Sequence, residues 1–316
     1  MSMPKLSFKV LFDSDLEDFC VEKTLQPIKK KSAVGFANSF EDGKWCSSQF
    51  HQFIWNNIAE TALSKKERDA LVDNPATLTM RAAENLRLTE SEKDIGRGSE
   101  LAEIFLYGIM RHHYNALPVV PKVYHKQNVQ DNAKGADSVH IVLEENANGF
   151  SVWFGEAKFY SSIEDSRLDS IIESVNNSLS TEKLKKENSI ILDLDDLREY
   201  IKSDKVFEQV KNLLANDTSI DELKPFLHIP ILLLYECNIT KECVEFTPEY
   251  KQKITKFQQE RAEAYFKRQI TQLGSSVFKY SEIYFHLILF PVPDKNAIIR
   301  RFIDTVSFKK KEARND

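Results

Sequence analysis

The sequence predicts an α/β protein, a mixed sheet flanked by helices with an N-terminal addition, and three observations carry that reading. Continuous apolar runs at Ile229–Tyr235 and Ile283–Phe290 have the length and composition of buried strands. A long helical pattern, Pro248–Leu273, separates them. Upstream, Asp137–Glu145 and Phe150–Phe159 are rich in β-branched and aromatic residues and flank the turn-forming Asn146-Ala147-Asn148-Gly149.

Taken in order, residues 1–90 form the addition, an accessory layer or partner-docking region. A strand is expected at Leu6–Phe12. The basic run Lys29-Lys30-Lys31 reads as a solvated loop, and the aromatic segment Phe40–Trp55 leads into helices at Ile58–Leu63 and Lys65–Val72. Residues 91–316 form the main domain. A helix is expected from Gly98 to Tyr114, with Ser99 as N-cap. At 100° per residue Leu101, Ile104, Phe105 and Gly108 make one apolar stripe, with Glu100 at its margin and Glu103 turned well away. His112 and His113 close that helix.

The hairpin follows. A four-residue loop sets Glu145 against Phe150, which places Asp137 opposite Lys158 and one diagonal step from Glu156. All three side chains then share a face with Val139, Ile141, Leu143, Val152 and Phe154. A further helix, around Ile163–Leu179, opens with hydroxyl and acidic residues and covers the sheet. Asp193, Asp195 and Asp196 open the helix Leu197–Ile201. The last helix is expected over Asn296–Val306, with Lys309-Lys310-Lys311 as a solvated tail.

Composition narrows the function classes. With 43 basic and 48 acidic residues the formal net charge is −5, unlike a protein that grips duplex DNA unaided. Basic surface must then be arranged locally, or a partner must deliver the strand. Cys20, Cys46, Cys237 and Cys243 fit neither CxxC zinc spacing nor a disulfide framework, and free thiols are expected. No run of eighteen apolar residues and no secretory leader pattern is present, so a cytoplasmic location is expected. The sequence holds neither a Gly-rich phosphate loop nor a GxSxG, which argues against ATP hydrolysis in this chain.

Two carboxylates and a lysine at the end of an apolar hairpin have a chemical use. Asp137 and Glu156 can share a divalent ion, Mg²⁺ or Mn²⁺, with the backbone carbonyl of Ala157 as a further oxygen ligand and waters completing the shell. Lys158 beside it can orient or deprotonate a water and offset charge on phosphate as it forms. Glu100 supplies a third acid, directly or through water. Arg167 and Lys134 are candidate DNA contacts.

These motifs carry a resemblance. Helix-borne Glu100, then Gly135-Ala136-Asp137, then Glu156-Ala157-Lys158 and a following helix resemble the restriction-endonuclease-like αβββα core of PD-(D/E)xK nucleases, with Ala136 where the nominal motif has proline. More narrowly, Gly98-Ser99-Glu100-Leu101-Ala102-Glu103, Lys134-Gly135-Ala136-Asp137-Ser138-Val139-His140 and Phe154-Gly155-Glu156-Ala157-Lys158-Phe159-Tyr160 resemble the HamA family, nuclease subunits of the Hachiman anti-phage defence system. The resemblance implies a metal-dependent DNase with Glu100, Asp137, Glu156 and Lys158 as catalytic residues. It also implies a superfamily 2 helicase partner, HamB, that restrains the nuclease until DNA is engaged. Two other readings stay open: a restriction or repair nuclease of the same fold, and a non-catalytic adaptor for a nucleic-acid motor.

Overall fold

Strands form here where apolar runs can be covered on both faces. The computed structural model describes residues 6–22, 24–87, 99–117, 136–144, 149–190, 194–215 and 218–314. Its strands are β1 (Lys9–Asp15), β2 (Lys31–Ala37), β3 (Phe40–Glu41), β4 (Lys44–Trp45), β5 (Ser138–Leu143), β6 (Phe150–Tyr160), β7 (Leu227–Glu236) and β8 (Tyr284–Val292). The helices are α1 (Leu16–Phe19), α2 (Ser47–Ala62), α3 (Lys65–Ala70), α4 (Pro75–Glu84), α5 (Ser99–His112), α6 (Asp165–Ser178), α7 (Thr181–Ile190), α8 (Leu194–Tyr200), α9 (Asp204–Leu213), α10 (Ile220–Leu223), α11 (Asn238–Lys241), α12 (Pro248–Leu273) and α13 (Lys295–Arg314).

Six strands make one mixed sheet in the order β1-β2-β8-β7-β6-β5. The four inner strands are parallel and both edge strands are antiparallel to their neighbours. Parallel strands must be covered on both sides, and they are. Val139, Val152, Phe154, Ile231 and Leu287 pack with Leu168 and Ile172 of α6 and with Ile254 and Tyr265 of α12. Trp153, Ala157, Leu232 and Ile288 pack on the other face with Phe50 and Ile54 of α2, Leu101 and Phe105 of α5, and Phe302 of α13. The expected mixed sheet with flanking helices is therefore present. Residues 1–90 enter it directly, because β2 pairs in parallel with β8 from Lys31 to Gly35.

Several expectations change. The first strand is Lys9–Asp15 rather than Leu6–Phe12. Helix α2 begins at Ser47, eleven residues before the expected start, because Phe50, Phe53, Ile54 and Ile58 repeat at helical spacing and are all buried. The aromatic density of that segment disguises the period. Helix α13 runs to Arg314, so Lys309–Lys311 are helical rather than a tail. Lys309 lies over the Trp55 ring at 5.5 Å, and Lys310 donates to the Leu86 carbonyl at 2.5 Å. Cys46, Cys237 and Cys243 are free thiols, as expected, and Cys20 is buried with its Sγ 3.6 Å from Glu263 Oε1.

Burial in the packed layers holds His51 and His140 neutral, as it does His228 and His286. Burial lowers His51 to about 4, with Arg301 adding to it, and lowers His140 to about 3. Both folded values lie below the ordinary 6.5, so this stabilisation is complete above about pH 6.5 and is lost as pH falls toward 4. Each group contributes a slope of about 1.4 kcal/mol per pH unit in that window. Denaturant unfolding should show stability falling between pH 6.5 and 5, and the His51→Gln, His140→Gln double variant should lessen that fall, with His228 and His286 supplying the rest. An unchanged slope would contradict this assignment.

Candidate active site

Strand β6 runs on past the start of β5, and among the described residues the candidate site lies along that stretch. The register pairs Ser138 with Gly155 and Leu143 with Phe150, so the next pair along is Asp137 opposite Glu156. Lys158 is then the diagonal neighbour. The expected register was off by two residues because the connection from Leu143 to Phe150 spans six residues rather than four, closed by the Glu144 N–H to Gly149 carbonyl bond at 3.0 Å. A slip of two preserves the face of every side chain, so the trio still meets.

The contacts are close. Lys158 Nζ lies 2.5 Å from Glu156 Oε1 and 4.0 Å from Asp137 Oδ2. Asp137 is anchored to β6 through both backbone and side chain. Its N–H donates to the Gly155 carbonyl at 2.7 Å, and its Oδ2 accepts the Ala157 N–H at 2.9 Å. In an antiparallel pair the N–H and C=O of one residue face the same neighbour, so the Ala157 carbonyl points toward this same edge, beyond the start of β5. That is where a backbone oxygen ligand was expected.

Electrostatics sharpen the picture. Glu156 is buried, and burial together with the Asp137 charge raises its carboxyl, against the lowering by Lys158 and Ser174. Burial alone would lower the Lys158 ammonium, but Glu156 and Asp137 outweigh it and raise the group overall. Asp137 and Glu156 both face the Lys158 ammonium, and a divalent cation would suit the two carboxylates. Among the described residues no three His, Cys, Asp or Glu side chains gather as a metal cluster, so here two carboxylates and a carbonyl would hold the ion with water. That donor set is all oxygen and suits Mg²⁺ or Mn²⁺.

One functional residue escaped the sequence reading. Ser174 of α6 donates its hydroxyl to Glu156 Oε1, the same oxygen that Lys158 reaches. Both donors fall on Oε1. No sequence motif marks Ser174, since its partner is eighteen residues away on another element. Ser174→Ala should leave folding intact and weaken metal-supported activity roughly tenfold, the usual cost of losing a partner that orients a ligand. Activity equal to the parent at low metal would contradict that role.

The remaining candidates are more dispersed. Glu100 stands in the first turn of α5, whose apolar residues pack on the sheet face opposite the Glu156 side chain, and it accepts the Arg87 N–H at 2.8 Å. Glu103 is a correction. Every residue from Leu101 to Met110 is buried, Glu103 at 5% exposure included, because α5 is covered by α2 as well as by the sheet. A helix sandwiched in this way has no outward face for Glu103 to occupy. Arg167 is exposed near the Tyr160 ring at 6.0 Å. The neighbouring Asp165 binds Arg261 at 2.8 Å and Arg268 at 2.9 Å. Lys134 lies outside the described residues. His112 contacts Asn57 at 3.2 Å and His113 contacts Asp13 at 3.1 Å, both in helix-end positions.

Comparison with known proteins bears on the whole chain rather than on single residues. The HamA family model matches residues 13–306. No curated protein matches the chain. No helix among the described residues is long and apolar enough to cross a membrane.

Proposed function

The chain belongs to the HamA family and is thereby a component of a Hachiman defence system, and from that premise we propose that it is the metal-dependent DNA nuclease of that system, working with a helicase subunit. The observation that carries this reading is the meeting of Asp137, Glu156 and Lys158 where β6 runs on past the start of β5.

In this reading Asp137, Glu156 and the Ala157 carbonyl would hold Mg²⁺ or Mn²⁺, with Glu100 acting through water. When bound there, such an ion would supply a water nucleophile at neutral pH and polarise the phosphate. Lys158, kept protonated between two carboxylates, donates from Nζ to the phosphate oxygens and offsets their charge as it builds. Ser174 and Lys158 hold Oε1 of Glu156. Burial of Glu156 limits the alternative geometries of its carboxylate. Arg167, exposed above Tyr160, and Lys134 are assigned to the DNA backbone. A net charge of −5 supports a partner that delivers the strand, and the helicase fills that role.

The test is cleavage of linear plasmid DNA by the purified chain with Mg²⁺, with EDTA, and with the Glu156→Ala, Lys158→Ala variant, each with and without the helicase. Metal-dependent loss of DNA that the variant cannot produce is the expected result. Folded protein that cuts under no condition would favour the adaptor reading, and discrete fragments would favour a restriction or repair nuclease.

A further inference from the structure

Beyond Lys158 the same face of β6 carries one more side chain, Tyr160. Side chains on one face recur every two residues, about 6.6 Å along a strand, so Glu156, Lys158 and Tyr160 form a row. Burial falls along it. Glu156 is 6% exposed, the Lys158 side chain 29%, and Tyr160 is half-buried at the end of the strand. Part of the Tyr160 ring packs against the core beneath α6 and α12, and the rest is open. Its phenol is near enough to Lys158 to act on the charge of that ammonium.

Arg167 stands beside this ring, with Cζ 6.0 Å from the centroid. That is wider than the roughly 3.5 to 4 Å of packed contact, so the guanidinium does not close the ring face. Folding does not explain where Arg167 sits. It occupies the first turn of α6, where the helix dipole disfavours a cation. Asp165 in the same turn is held by Arg261 and Arg268, and among the described residues Arg167 forms no ion pair. An exposed guanidinium and a part-open aromatic ring therefore adjoin the lysine assigned to the phosphate.

We propose that Tyr160 is a stacking platform for the base next to the cut and that Arg167 takes the adjoining phosphate, so that the substrate is single-stranded DNA. This rests on the nuclease reading of the trio. A base inside a duplex has both faces covered by its neighbours, and Tyr160 reaches a base face only where the strand is unpaired. Stacking tolerates any sequence, because every base has a π-face. It also suits a chain of net charge −5, whose overall charge opposes the many phosphate contacts that hold a duplex. A partner that separates strands delivers DNA in this form.

The test follows the fluorescence anisotropy of a labelled single-stranded oligonucleotide, and of the same sequence as a duplex, titrated in Mg²⁺ with the full chain carrying Glu156→Gln, which separates binding from cutting. The single strand is expected to bind about tenfold or more tightly than the duplex. Tyr160→Leu should weaken that binding roughly tenfold, the scale of one lost stacked base, and leave duplex binding unchanged. Tyr160→Phe and Tyr160→Trp should retain it. Arg167→Ala should weaken both forms and reduce the salt dependence by about one phosphate contact. With Glu156 intact, Tyr160→Leu should raise KM for the single strand more than it lowers kcat. Duplex bound as tightly as single strand, Tyr160→Leu matching the parent, or Tyr160→Phe as damaging as Tyr160→Leu would overturn the platform. A chain that cuts both forms alike loses the platform and keeps the nuclease. One that binds single strands through Tyr160 and cuts nothing keeps the platform and loses the nuclease.

Discussion

Glu156→Gln is expected to reduce DNA cleavage by roughly a hundredfold or more while leaving the melting temperature unchanged or higher. An ion that stabilises developing charge by several kcal/mol, at about 1.4 kcal/mol per tenfold in rate, sets that scale. The stability half follows from burial. Glu156 is 6% exposed and its carboxyl is raised by burial and by Asp137, so the charged form is held at a cost that a neutral amide removes. Lys158→Ala should cost a similar factor in rate, but it leaves two carboxylates without their ammonium and should lower stability. Asp137→Asn keeps an oxygen to accept the Ala157 N–H, so it should fold and fail to cut. Matched cleavage rates and melting curves for the three variants check this pattern. Parallel losses of activity and stability in all three would point to a structural trio instead.

Gly155→Ala should destabilise the sheet beside the trio. A Cβ there would lie 2.2 Å from Ser138 Oγ, 2.8 Å from Leu106 Cδ2 and 3.2 Å from Pro230 Cγ, so α5 and two neighbouring strands approach closely only because the residue is glycine. Overpacking of this kind costs about 1 to 3 kcal/mol, a few degrees in melting temperature for a chain of this size. Removing the nearest obstacle should recover part of the loss. Thermal unfolding of the Gly155→Ala, Ser138→Gly double variant against both single variants measures that coupling. Strict additivity would show that the strain lies elsewhere.

The same glycine shows how much of the site was legible. Small residues around Asp137, Glu156 and Lys158 mark a crowded place in the sequence, and period-2 alternation puts the three on one face without any knowledge of the turn. Register was the weaker inference, since loop length fixes it and a six-residue connection looks like a four-residue one when both end in Gly149. Only the parity of the slip kept the trio intact. The burial of β7 and β8 on both faces followed from their unbroken apolar runs. The entry of β2 beside β8 did not, because a pairing across some 250 residues leaves no local pattern. Glu103 was misplaced for a related reason: a helical wheel assumes one buried face, and α5 has two. Ser174 was invisible because a lone serine on a half-polar helix has no signature until the strand beneath it is known.

The most direct test of the central claim is anomalous diffraction from crystals of the full chain grown with Mn²⁺. The account predicts a peak within ligand distance of Asp137, Glu156 and the Ala157 carbonyl, and no peak there in the Asp137→Asn, Glu156→Gln variant. A chain that cuts DNA with Mn²⁺ bound somewhere else, or that leaves this site without metal at saturating Mn²⁺, would contradict it.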